Sequence, residues 1–248
     1  MELTGASEAT VRRDFADLEA EGLVNRHRGG VETAAVRDDA SAGVLHGGPG
    51  RVMGASAPLE SRSLESRRAL REEAKRLIAE RASLLCAEGQ TVFLDAGSTA
   101  LALAELMASM RIRVVTNSFA AARVLFEKGV AEIVLVGGAI DRASEVVYSH
   151  VDDHLIESYL PDVAFLSAEG VDAAGVSNSD ERLIRTERRA LNVARRAVLV
   201  ADSSKFGKRG RVRVCGVEEL DEVVTDSGLP EHQHDLLRER GVHVITVR

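Results

Sequence analysis

Five short stretches hold most of the residues able to do chemistry in this chain. They are Asp95–Ala96–Gly97–Ser98–Thr99, Thr116–Asn117–Ser118, Gly137–Gly138, Glu169–Gly170–Val171–Asp172 and Asp202–Ser203–Ser204–Lys205. Hydroxyls and glycine backbone N–H groups are donors for a phosphate, and Lys205 adds a cation. Carboxylates and the Asn117 amide suit the hydroxyls of a sugar. Any one of these stretches is weak evidence. Together they describe a polar pocket for a small anionic ligand.

The pattern around them says what must position them. Thr91–Leu101, TVFLDAGSTAL, reads as a buried strand, a tight turn and a helix start. Gly97 allows close approach to the backbone, and a helix N-terminus beside Ser98 and Thr99 presents free N–H groups to an anion. A capped helix start with no ligand is the plainer alternative. Strands are expected over Thr91–Asp95, Ile112–Thr116, Glu132–Val136, Val163–Ser167, Ala197–Ala201, Glu222–Thr225 and Val242–Val247, with helices interleaved. Such alternation calls for an α/β fold with a mostly parallel sheet, in which the polar stretches fall at the carboxyl ends of strands. A long helix over Arg67–Glu88 is expected ahead of the first strand, with Lys75 on its solvated side.

The whole chain sets bounds on this reading. Its 248 residues with 45% hydrophobic content can bury a sizeable core, and with 3% aromatics that core must be aliphatic. A formal net charge of −7 excludes a surface that is basic all over, though not a local nucleic-acid site. Cys86 and Cys215 lie far apart, with no metal-type spacing, and suit a reducing cytoplasm. No signal peptide or membrane span is expected, and nothing calls for a cofactor or a metal. His150, Asp152, Asp153 and His154 resemble a metal cluster only superficially; the pocket chemistry needs no metal, and the segment fits a polar helix start.

The N-terminal segment differs in kind. Ser7–Glu21 reads as a helix with Ser7 as N-cap and Gly22 as stop. Val11, Phe15 and Leu18 make one apolar stripe. Arg13 lies opposite it beside small residues, with Arg12 and Thr10 on the flanks. A helix entering a DNA major groove needs that division, while an ordinary amphipathic helix with exposed arginines shows it too. Leu23–Val31 then reads as strand, basic Gly–Gly turn and return strand. That is the wing of a winged helix-turn-helix, with Arg26 and Arg28 on phosphates.

The stretch SEATVRRDFADLEAEGLVNRHRGGV closely resembles the DNA-binding signature of the DeoR family of bacterial transcriptional regulators. By that resemblance Ser7, Thr10, Arg12 and Arg13 face operator DNA, with Arg26, Arg28, Gly29 and Gly30 in the wing. The motifs Leu94–Thr99, Val115–Ser118, Gly137–Gly138, Asp202–Gly207 and Thr225–Asp226 resemble the sensor domain of the same family. The resemblance implies a fold similar to ribose-5-phosphate isomerase and a phosphorylated sugar effector. Asp95, Gly97, Ser98, Thr99, Thr116, Asn117, Ser118, Gly137, Gly138, Glu169, Asp172 and Lys205 would bind it. Glu169 stands where the family usually has Asp, which would shrink the pocket or move its ligand.

The expected organisation is therefore a partial winged helix-turn-helix at 1–37, a flexible Ala/Gly/Ser/Pro-rich linker at 38–64 and an α/β sensor at 65–248. The expected function is a cytoplasmic, homo-oligomeric repressor of sugar metabolism genes. Only Met1–Ala6 precedes the recognition helix, so the chain as written is expected to bind DNA weakly or not at all, and a form extended upstream to bind it. Two other readings stand beside this one. A sugar-phosphate isomerase would use Glu169 or Asp172 as base and Lys205 as cation. A sensor without DNA affinity would act by assembling with intact copies.

Overall fold

The structure is a computed structural model that describes residues 24–27, 30–33, 63–129, 131–148 and 155–248. The chain divides into two units, Met1–Ala55 and Ser56–Arg248. In the first, β1 (Val24–His27) pairs antiparallel with β2 (Gly30–Thr33), setting Arg26 opposite Val31 and His27 opposite Gly30. This is the hairpin expected of a wing. Ser7, Thr10, Arg12, Arg13, Arg28 and Gly29 lie outside the described residues.

The second unit opens with helices α1 (Leu64–Ala69) and α2 (Glu72–Ser83). Then come β3 (Thr91–Leu94), α3 (Ser98–Met107), β4 (Arg113–Thr116), α4 (Phe119–Lys128) and β5 (Glu132–Leu135). A small hairpin, β6 (Ala139–Asp141) and β7 (Val146–Tyr148), leads to α5 (Leu155–Tyr159) and β8 (Val163–Leu166). A second one, β9 (Gly170–Asp172) and β10 (Gly175–Asn178), precedes α6 (Glu181–Val193) and β11 (Ala197–Val200). The chain ends with β12 (Val212–Cys215), β13 (Glu222–Asp226), α7 (Glu231–Glu239) and β14 (His243–Val247).

Seven of these strands form one sheet in the order β14-β13-β11-β8-β3-β4-β5, every pair parallel. A parallel sheet is covered on both faces, which is why β8 (VAFL) and β11 (AVLV) are apolar throughout and wholly buried. Val92 and Leu94 pack on one face against Ile78 of α2, Leu103 and Met107 of α3 and Leu125 of α4. Phe93 points to the other face, where Ile156, Ile184, Ala190 and Leu237 from α5, α6 and α7 meet it. Removing a fully buried ring such as that of Phe93 costs about 3–5 kcal/mol. No helix among the described residues is long and apolar enough to cross a membrane.

Chain order fixes where a ligand can sit. From β3 the chain steps outward through β4 to β5, then returns to place β8 on the opposite side of β3. The connections leaving β3 and β8 therefore diverge, and a crevice opens at their carboxyl ends.

Two expectations need correction. The helix foreseen over Arg67–Glu88 is broken. Leu70 is extended, Arg71 is left-handed (φ 55°), and α2 stops at Ser83 rather than Gly89. Lys75, expected in solvent, is 5% exposed and donates to the carbonyls of Arg67 and Leu70. The break rotates α1 relative to α2, so Lys75 fills the elbow and caps carbonyls that a continuous helix would have used.

Candidate functional site

The crevice is built first from β3 and β8. Asp95, just past β3, is fully buried, and its Oδ2 accepts the Ser167 amide at 2.9 Å. That bond ties the ends of the two strands together. Burial raises the Asp95 pKa to about 6, against the pull of the Ser167 and Ala96 amides. Gly97 follows with φ 145°, and a Cβ there would lie 2.9 Å from Ser167 Oγ. Only glycine takes that conformation in that space. Helix α3 then starts at Ser98 without a side-chain cap, so its first-turn N–H groups face the crevice uncommitted. Ser98 is half-buried and Thr99 buried in that turn.

The next strand end is more divided in role. Thr116 Oγ1 donates to Leu94 O at 2.6 Å and accepts from Ser118 N at 3.0 Å, fastening β4 to β3. Ser118 Oγ accepts from Ala121 N and caps α4. Asn117, between them, is 1% exposed, and neither its Oδ1 nor its Nδ2 has a partner. A buried amide left without partners costs about 1–3 kcal/mol per group, so these two atoms are available to a water or a polar ligand. Gly137 (φ 126°) turns the chain out of β5, and Gly138 N donates to Tyr148 O. The β6–β7 hairpin thus lies on this strand end, with Val147 N bonded to Asn117 O.

Beyond β8, the Glu169 amide donates to Ser177 O and to Asn178 Oδ1. Asp172 does not join it. Its carboxylate receives Arg209 Nε at 2.6 Å and the Ala174 amide, and the Arg209 bond holds its pKa low. Lys205 closes a 3₁₀ turn, Ser203–Lys205, capped by Asp202. Burial lowers the Lys205 pKa while the Asp202 and Glu169 carboxylates raise it and the Lys208 and Arg67 cations add to the lowering.

Three cations and one acid near the strand ends are not among the expected site residues, Lys75 being expected in solvent. Arg67 of α1 is half-buried with its Nε unpartnered. Burial lowers its pKa, and the charges of Glu169, Tyr148 and Asp95 oppose the shift. Lys75 is drawn to about 8 by burial, with Asp202, Lys205, Arg67 and Arg71 around it. Arg71 spans Ser203 Oγ at 3.0 Å, Asp226 Oδ2 at 3.1 Å and Asp202 Oδ1 at 3.5 Å. The acid, Glu187 of α6, is 1% exposed. Arg67 and Lys75 lie on either side of the elbow at Arg71, with Lys75 donating to the Arg67 carbonyl.

Uncommitted helix N–H groups, an unsatisfied amide and half-buried cations make an anion-and-hydroxyl receptor. The profile of the DeoR C terminal sensor domain matches residues 70–227, and that of the DeoR-like helix-turn-helix domain matches residues 1–36. The chain belongs to the DeoR family.

The DeoR family is one of DNA-binding transcriptional regulators rather than enzymes, so the isomerase reading falls. It is 30% identical to the putative aga operon transcriptional repressor of Escherichia coli O157:H7, over 99% of this chain and 85% of that one. It is 32% identical to the transcriptional regulator GlpR of Haloferax volcanii, over 97% and 87%. The glycerol-3-phosphate regulon repressor of Escherichia coli K12 is 27% identical over 90% and 81%. Among solved structures, ribose 5-phosphate isomerase A of Methanocaldococcus jannaschii overlaps 54% of each chain with a TM-score of 0.42 and 19% identity. The β subunit of eIF2B from Chaetomium thermophilum overlaps 68% of this DeoR chain and 54% of its own, with a TM-score of 0.46 and 13% identity.

Proposed function

We propose that this DeoR-family chain is a cytoplasmic, homo-oligomeric repressor of sugar metabolism genes, released from operator DNA by a phosphorylated sugar or sugar-derived effector. The effector's phosphate sits at the N-terminus of α3, on the N–H groups after Gly97 and beside Arg67 and Lys205. Its hydroxyls engage Asn117, Ser167 and Glu169. Thr116 and Ser118 shape the pocket rather than touch the ligand, since their hydroxyls already serve the backbone. The observation that carries this reading is Asn117. Both of its amide atoms are buried and unpartnered beside an uncapped helix start.

Two relatives fit the proposal: one is named for the glycerol-3-phosphate regulon, the other for the aga operon. On the DNA side the β1–β2 hairpin would supply Arg26, and Arg28 and the N-terminal residues Ser7, Thr10, Arg12 and Arg13 would join it by the family resemblance. An effector switches such a protein only by binding its DNA-competent and DNA-free states unequally.

The test is a thermal-shift screen of sugar phosphates and the matching free sugars, followed by operator-release titration with each binder. Phosphorylated compounds should raise the melting temperature and release DNA while their free sugars do neither. Equal response to both would remove the phosphate seat.

A further inference from the structure

Two carboxylic acids meet beneath the Gly97 turn, on elements that join different parts of the fold. Asp95 leaves β3, and Glu187 comes from the middle of α6. Both are fully buried, and each shifts the other's titration through a side-chain hydrogen bond. The surrounding bonds fix what each oxygen can do. Asn178 Oδ1 is taken by the Glu169 amide, so its Nδ2 faces Glu187 and donates to Oε1 at 2.5 Å. Asp95 Oδ2 accepts from the Ser167 amide. One oxygen remains on each side, Asp95 Oδ1 and Glu187 Oε2, each buried and outside the hydrogen bonds just given, with the Ser167 hydroxyl a further donor beside Asp95. Two carboxylate oxygens repel, so a proton must lie between them.

The environment decides which residue owns that proton. Asp95 receives two backbone N–H groups, from Ser167 and Ala96, and the Ser167 hydroxyl, all of which favour its anion. Glu187 receives only the Asn178 amide, and burial together with the Asp95 and Asp180 carboxylates drives its pKa far up. Of the elements packed here, α1 contributes the Arg67 cation toward Asp95, and β12 contributes the Cys215 thiol, neutral because burial pushes it up to about 12.

We propose that Glu187 is a positioning residue, present as the neutral acid, whose O–H donates to Asp95 and so holds the effector turn over a floor bearing one negative charge instead of two. A second charge there would repel any anion at the α3 N-terminus. The proton on Glu187 is thus what makes the seat compatible with a phosphate. The consequence for ligand binding rests on the effector site proposed above, whereas the shared proton does not.

Sulfate, which does not titrate near neutrality, is the probe for the full-length protein. In the wild type its affinity should fall by about tenfold for each pH unit over which the pair loses its proton. Glu187→Gln keeps both hydrogen bonds, with Nε2 donating to Asp95. It should bind sulfate within about twofold of wild type at pH 6 and lose affinity less steeply as pH rises, keeping only the part of the fall that Lys75 and Lys205 cause as they lose their protons. The same pH dependence in both proteins would overturn the proposal.

Folding gives a second readout. The folded state holds the proton above the unfolded carboxyl value of about 4.3, so wild-type stability declines as pH rises from there through the folded titration. The Gln variant lacks that decline and should melt about 3 °C or more above wild type at pH 8.5, relative to pH 6. Equal slopes would again overturn it. Infrared spectra of the wild type at pH 7 should show a protonated carboxylic acid, and its absence would refute the proposal without any variant. If sulfate binds at no pH, the effector site fails while the melting and infrared results still decide the proton.

Discussion

Arg71 and Asp226 are joined at 3.1 Å across 155 positions of sequence, and the same guanidinium reaches Ser203 Oγ at 3.0 Å. This clasp holds the elbow between α1 and α2 against the carboxyl ends of β11 and β13. It also explains a left-handed arginine: Arg71 can make these bonds only from the break in the helix, and the bonds offset the backbone strain.

Arg71→Ala should therefore cost about 1 kcal/mol, the Arg71 side chain being partly exposed and its pairs screened by solvent. The loss should depend on pH. Ser203 amide and hydroxyl bonds, with Gly228 and Arg71, hold the Asp226 pKa low against burial. The clasp's contribution is then present above the ordinary Asp value of about 3.9 and disappears as pH falls below it. Melting curves of both proteins should converge in acid; a constant gap would mean that the charge pair contributes nothing.

Gly97→Ala is expected to lose ligand binding and about 1–3 kcal/mol of stability, through the φ of 145° and the 2.9 Å approach to Ser167 Oγ. Combining it with Ser167→Ala removes the closest atom and should restore part of the stability, measured by urea unfolding. No recovery would place all of the cost in the backbone.

Asn117→Ala should separate stability from function. Deleting an unsatisfied buried amide leaves the apo protein within about 1 kcal/mol of wild type, or more stable. The melting-temperature rise on adding a sugar phosphate should vanish. A large apo destabilisation would show that Asn117 is structural.

Lys205→Ala and Arg67→Ala should each weaken phosphorylated ligands about 10- to 100-fold, the range of a lost charge-assisted hydrogen bond, and barely change weak binding of free sugars. Calorimetry showing equal losses for both ligand classes would remove these cations from the phosphate site.

The parallel sheet and its polar strand ends were legible because buried strands announce themselves as short apolar runs, VAFL and AVLV above all. The turns after them carry residues with few structural uses elsewhere. Lys75 and Glu187 were not legible for the opposite reason. Both lie in helical sequence rich in charge, where a buried ion looks like its solvated neighbours until a distant segment covers it. The elbow at Leu70–Arg71 contains no Gly or Pro, and its cause, the Asp226–Ser203 clasp, is far away in sequence. Asp172 had the right composition and position, but its strand turns it toward Arg209. The hairpins β6–β7 and β9–β10 were hidden because three- and four-residue strands carry no usable period.

The placement of β3 between β4 and β8 also sets the order of assembly. Val92 pairs with Val114 a short way along the chain, but with Val163 only after a long detour. A nascent chain that has emerged as far as Leu135 already contains Gly97 and Asn117, yet lacks the Ser167 amide that anchors Asp95. The receptor therefore cannot exist on the ribosome until β8 has been made, and one flank of β3 waits unpaired until then. Completion of the proposed effector pocket, in this topology, is a late event in synthesis as well as a long-range one in structure.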